Sequence, residues 1–168
     1  MPPRPRREPE TDAADALGRV APVVTRWMER VLAGHDPPLT LAQYVALQDV
    51  SDGSTGGSEL ARRSAVSPAA VSQLVAALED GGYVQRARTT DDRRRHMLSL
   101  TPAGARTLES AGSLVRERLG ALLAGIPKPE LDALARLLLR LGEPLSTAPP
   151  RRPPRPKPPP PRRPGSRR

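Results

Sequence analysis

The sequence predicts a mainly α fold, with about six helices and one two-stranded β hairpin. Three observations predict it. Leu, Val and Ala recur at helical spacing along most of the chain. Two stretches, "YVQRART" at 83–89 and "MLSLT" at 97–101, instead alternate apolar with polar residues, as paired strands do. Aromatic residues are scarce. Trp27, Tyr44 and Tyr83 are the only three, and Phe is absent. The core is therefore built from small aliphatic residues, which suit helices.

The elements follow in order. "TDAADALGRVAPVVTRWMERVLAG" carries Leu17, Val20, Val24, Trp27, Met28, Val31 and Leu32 at helical spacing. Asp12 and Asp15 favour its start and Gly34 its end, and Pro22 is expected to kink it or shift its start. "LTLAQYVALQDV" opens with the capping-box pair Thr40 and Gln43 and carries an apolar stripe of Leu41, Tyr44, Val45 and Leu47. "SDGSTGG" reads as loop. "SELARRSA" reads as a short helix with Leu60 and Ala61 inward and Arg62 and Arg63 outward. Next comes "SPAAVSQLVAALEDGG", with Ser67 as N-cap, Pro68 at the first helical position and Gly81 and Gly82 as the stop. Val71, Leu74, Val75 and Leu78 form its inward stripe. "YVQRART" and "MLSLT" read as two strands joined through "TTDDRRR". Thr101 and Pro102 then start a helix running to about Ala124. "PKPELDALARLLLRLG" is the last helix, with Leu131, Leu134, Leu137, Leu138 and Leu141 inward. It is too apolar for an exposed terminal helix and wants a partner.

Charge divides the chain. From Ser146 onward there are seven Arg, one Lys and no acid, with ten prolines among them. The other 145 residues hold nineteen basic and eighteen acidic residues and are nearly neutral. The organisation expected is a disordered basic arm over 1–10, one domain over 11–145 and a disordered Pro/Arg-rich tail over 146–168. The tail has three readings: added phosphate contacts, a polyproline ligand for an aromatic groove, or a drifted extension.

Several function classes are excluded. Without cysteine there is no disulfide, thiolate metal site or thiol redox sensor, which fits a reducing cytoplasm. No run of about 18 apolar residues suggests a membrane span. "MPPRPRREPE" lacks the apolar centre of a secretory signal. His35 and His96 are far apart, with no nucleophile motif or metal-ligand spacing. No enzyme activity, cofactor or metal is expected.

Two short helices joined by a tight turn and followed by a strand pair make a winged helix-turn-helix. The second helix of such a pair lies in the DNA major groove. On that helix Ser67, Ala69, Ala70, Ser72, Gln73 and Ala76 face outward. Gln73 can pair with adenine, and the alanines can contact thymine methyl groups. No long basic side chain lies on this face, so phosphate contacts fall to Arg62, Arg63 and the hairpin. There Arg86, Arg88, Arg93, Arg94 and Arg95 stand against Asp91 and Asp92, a local charge of +3.

The segments "SELARRSAVS", "VSQLVAALEDGGYV" and above all "DDRRRHMLSLTPAG" resemble the MarR (multiple antibiotic resistance regulator) family, over roughly residues 15–143. The last segment fixes Asp92, Arg94, Leu100, Thr101 and Gly104 together. The resemblance implies a homodimer whose first and last helices interlock, with two winged lobes gripping a palindromic double-stranded operator. It implies that Asp92 and Arg94 hold the wing in shape, leaving Arg93 at the tip for the minor groove. It also implies release of the DNA by a small aromatic or phenolic inducer, for which Arg26, Trp27, Arg30 and Tyr44 are the candidate lining residues. The place of action implied is the cytoplasm, on the nucleoid. Two departures stand out. Gly56 and Gly57 precede the short helix where a polar cap is usual, and Gln73 stands where a basic residue is common. The rival reading is a non-specific architectural DNA-binding protein that coats DNA through its basic tail. An interaction adaptor acting through the proline tail is a third.

Overall fold

The computed structural model describes residues 8–53, 60, 67–88 and 96–147. Five helices and two strands lie among them: α1 (Pro9–Ala33), α2 (Leu41–Ser51), α3 (Pro68–Asp80), β1 (Val84–Arg88), β2 (His96–Leu100), α4 (Pro102–Leu123) and α5 (Lys128–Thr147). The short helix expected over 58–65 falls mostly outside the described residues. Leu60 within it is helical and fully buried. None of the described helices is long and apolar enough to cross a membrane.

The capping chemistry explains most boundaries. Thr40 closes the expected capping box on α2: its hydroxyl accepts from the Gln43 amide at 3.1 Å, and its own amide donates to Gln43 Oε1 at 2.9 Å. Ser67 caps α3 by accepting from the Ala70 amide at 3.2 Å, with Pro68 in the first turn. Thr101 caps α4 by accepting from the Gly104 amide at 3.0 Å.

Two core clusters organise the packing. One joins Ala46, Leu47 and Val50 of α2, Leu60, Val71, Val75 and Leu78 of α3, and Val84 and Leu98 of the hairpin. The other joins Leu32, Leu39, Tyr44, Ala111 and Val115 where α1 and α2 meet α4. Tyr83 and Leu108 pack against both clusters and couple them. By contrast, α5 touches the rest of the described chain only sparsely.

Five expectations need correction. First, α1 starts at Pro9 rather than near Asp12, because a proline suits the first turn, where its missing N–H has no partner to lose. Second, α1 runs on through Pro22, which neither starts nor ends it. The proline removes one hydrogen bond, to the carbonyl of exposed Gly18, while flanking turns of a 25-residue helix keep theirs. Third, Val45 is exposed; α2 buries Ala46 and Val50 instead. Fourth, the inward stripe of the last helix is not covered by the described residues of the chain. Leu134, Leu137, Leu138 and Leu141 are exposed and Leu131 is half-buried. The same holds for Leu17, Val20 and Val24 of α1. Periodicity finds an apolar face but not what covers it. Fifth, the last helix extends to Thr147, past the expected boundary at 145.

Candidate nucleic-acid interface

The interface candidate begins with α3. Val71, Val75 and Leu78 are buried and Leu74 is half-buried, so the inward stripe lies where helical periodicity puts it. The opposite face is thereby presented outward. Ser67, Ala69, Ala70, Ser72, Gln73 and Ala76 are all exposed. Small side chains here leave the helix backbone free to approach a groove closely.

Beside α3 stands the hairpin. β1 and β2 pair antiparallel, with Val84 opposite Leu100, Arg86 opposite Leu98 and Arg88 opposite His96. Strand alternation puts Val84, Arg86, Leu98 and Leu100 on one face, and Val84 and Leu98 on that face are buried. Arg86 thus leaves the core-facing side of β1, and its guanidinium Nε donates to Glu79 Oε1 at 2.8 Å. The strand position of Arg88 is described, but its side chain is not. Arg62, Arg63, Asp92, Arg93, Arg94 and Arg95 lie outside the described residues.

A tight joint connects α3 to the hairpin. Gly82 takes φ +70°, a conformation favouring glycine. The Tyr83 amide donates to the Leu78 carbonyl at 2.9 Å, closing the helix end. The Thr101 hydroxyl donates to the Gly82 carbonyl at 2.6 Å, and the Thr101 amide donates to the Tyr83 carbonyl at 3.0 Å. Gly104 packs directly on this joint. A Cβ there would overlap the Tyr83 carbonyl oxygen. The "LTPAG" run is therefore one device, in which Thr101 ties the joint and Gly104 makes room for it.

The candidate ligand residues separate. Trp27 and Arg30 line an open cleft of about 340 Å³ with Val31, Gly34, Leu114 and Arg118. Arg26 is exposed and is not part of its wall. Tyr44 is buried in the second cluster, and its hydroxyl accepts from Gln48 Nε2 at 3.3 Å. It is a core residue rather than part of the cleft. Sequence reasoning missed Leu114 and Arg118, although their spacing of four places them on one face of α4. It also missed Glu79, whose partner lies seven residues on, across a Gly-Gly turn.

The MarR family model matches residues 39–96, which span α2, α3 and β1 and end at the first residue of β2. The HTH-type transcriptional repressor Rv2887 of Mycobacterium tuberculosis is 31% identical over 105 residues, covering 62% of this chain and 76% of the relative. The chain belongs to the MarR family. The fold agrees over 75–77% of the chain with two solved structures. A MarR family protein of M. tuberculosis, solved in complex with p-aminosalicylic acid, has TM-score 0.64 and 30% identity, covering 77% of this chain and 97% of that one. A mutant of the E. coli MarR protein, solved in complex with operator DNA, has TM-score 0.59 and 25% identity, covering 75% of this chain and 93% of the other. As a member of the MarR family this protein is a DNA-binding transcription regulator.

Proposed function

We propose that this MarR-family chain is a homodimeric, sequence-specific repressor that holds a palindromic operator and releases it when a small aromatic anion binds. The observation that carries this reading is the outer face of α3: exposed, small and polar, over a closed apolar stripe, with a hairpin fixed beside it. Ser67, Ala69, Ala70, Ser72 and Gln73 would read base edges. Arg62 and Arg63 would hold phosphates, with Arg88, Arg93 and Arg95 supplying the wing contacts. Asp92, paired with Arg94, would hold the wing in shape. The site of action is the cytoplasm, on the nucleoid.

The exposed leucines of α5 and the exposed Leu17, Val20 and Val24 of α1 support dimerisation, since soluble proteins rarely leave so much apolar surface uncovered. The cleft supports ligand control. A wall that combines Trp27 with Arg30 and Arg118 suits an aromatic carboxylate, and the cleft's volume lies in the range of small-molecule pockets. The basic tail supports the rival reading of DNA coating, because eight cations without an acid bind phosphates whatever the sequence.

Selecting bound fragments from the source genome separates the two. A repressor enriches a palindrome, and p-aminosalicylate then weakens binding to it. Length-dependent coating with no preferred site would overturn the proposal. On the selected operator, Arg93→Ala is expected to weaken binding and to reduce the salt slope by about one per protomer. An unchanged slope removes Arg93 from the minor groove.

A further inference from the structure

We infer that Arg86 is a positioning residue: its ion pair with Glu79 braces the wing against the last turn of α3, and Arg86 does not itself hold DNA phosphate. The inference rests on the DNA-binding reading above and reverses the role the sequence suggested for Arg86.

The stem of Arg86 leaves β1 on the side of buried Val84, opposite buried Leu98. Its guanidinium then reaches across the joint to Glu79. Charge within the pair is neutralised, so Arg86 offers a polyanion little net attraction. The side chains are 48% and 28% exposed for Arg86 and Glu79. A pair this wet contributes little to stability. Its effect lies in geometry. Among the described residues the other hydrogen bonds at the joint are short-range: those at the Gly82 turn, the Tyr83 amide and the Thr101 hydroxyl act within residues 78–83 and 101, while Val84 and Leu98 are held to α3 by non-directional apolar packing. The Glu79–Arg86 bond is the brace that reaches further out, to the middle of β1. Together with the packing of Val84 and Leu98 on α3, it therefore fixes the angle at which the hairpin leaves the helix.

That angle matters more here because the outer face of α3 carries no long basic side chain among Ser67, Ala69, Ala70, Ser72, Gln73 and Ala76. With few helix contacts to fix the docking, affinity depends on the wing arriving in register with its groove. The two roles for Arg86 predict opposite signs for its partner. If Arg86 touches phosphate, Glu79→Gln removes a nearby negative charge, frees the arginine and tightens binding. If the pair is a brace, the same change weakens binding although it lowers the negative charge.

The test uses the full chain in two arms. In the first, amide hydrogen exchange is followed without DNA in Glu79→Gln, Arg86→Gln and the exchanged pair Glu79→Arg with Arg86→Glu. Each single variant is expected to speed exchange in 84–88 and 96–100 several-fold, to leave the interior of α3 and the thermal midpoint unchanged, and to recover in the exchanged pair. In the second arm, operator binding is titrated against salt. Both single variants are expected to bind about tenfold more weakly with an unchanged salt slope, and the exchanged pair to recover most of the loss. Tighter binding by Glu79→Gln, or a slope reduced by about one per protomer in Arg86→Gln, would overturn the brace in favour of a phosphate contact. Unchanged hairpin exchange in both single variants would also overturn it. If the unaltered chain binds no DNA fragment, the DNA-binding reading fails by itself, and the exchange arm alone decides the brace.

Discussion

The winged lobe and the terminal helices are built from the same residues but reach different ends. In the lobe, Leu47, Leu60 and Leu78 lie within one continuous cluster and are fully buried. In α5, Leu137 and Leu138 are 54% and 55% exposed. Both regions are rich in leucine at helical spacing. The lobe closes because three helical segments and a hairpin converge on it. Among the described residues, α5 and the first turns of α1 meet no such convergence, although the end of α1 packs into the second cluster. One region is a finished core, and the other is half of one.

That contrast can be broken or sharpened by substitution. The largest effect is expected at Gly104→Ala. The new Cβ meets the backbone carbonyl of Tyr83, which cannot swing aside as a side chain would. A loss on the order of 3 kcal/mol is expected. It should appear as a lower denaturant midpoint for the whole lobe. A midpoint within error of the parent would mean that the joint can open at little cost.

Leu47→Ala and Leu138→Ala compare the two regions directly. Leu47→Ala should cost about 2 kcal/mol at any protein concentration, since the cavity lies inside one chain. Leu138→Ala should change the stability of the isolated chain little. It should instead weaken self-association by about 1–2 kcal/mol per protomer, seen as a shift in a sedimentation dilution series. A concentration-independent loss in both variants would show that α5 buries its leucines at home.

The smallest effect is expected at Ser67→Ala. Loss of the hydrogen bond to the Ala70 amide should cost about 1 kcal/mol in thermal unfolding. An unchanged midpoint would show that solvent replaces this cap without cost.

How far these features can be read from the sequence depends on their range. Thr40 with Gln43, Ser67 with Pro68, and Thr101 with Pro102 are local chemistry, and each helix start lies where it is expected. The buried stripe of α3 is equally local, because it needs only the helical period. Tyr44 shows the limit. Its apolar ring and hydroxyl suit a ligand wall or a core equally, and only the approach of Ala111 and Val115 from α4 decides for the core. Glu79 and Arg86 show it again. Their pairing depends on the turn at Gly82 and on strand register, neither of which residue type alone specifies. The exposed leucines of α5 cannot be told from buried ones by pattern, since both give the same apolar face.

One hydroxyl has mechanical reach. Thr101 opens α4 and also holds the carbonyl of Gly82, so the exit turn of α3 and the long helix behind it are joined through one side chain. With 22 residues, α4 is about 33 Å long. With its far end as pivot, the whole of that length is the arm that ends at the wing. Tilting it by about 5° about its far end sweeps the joint through roughly 3 Å, comparable to the rise of one base pair along DNA.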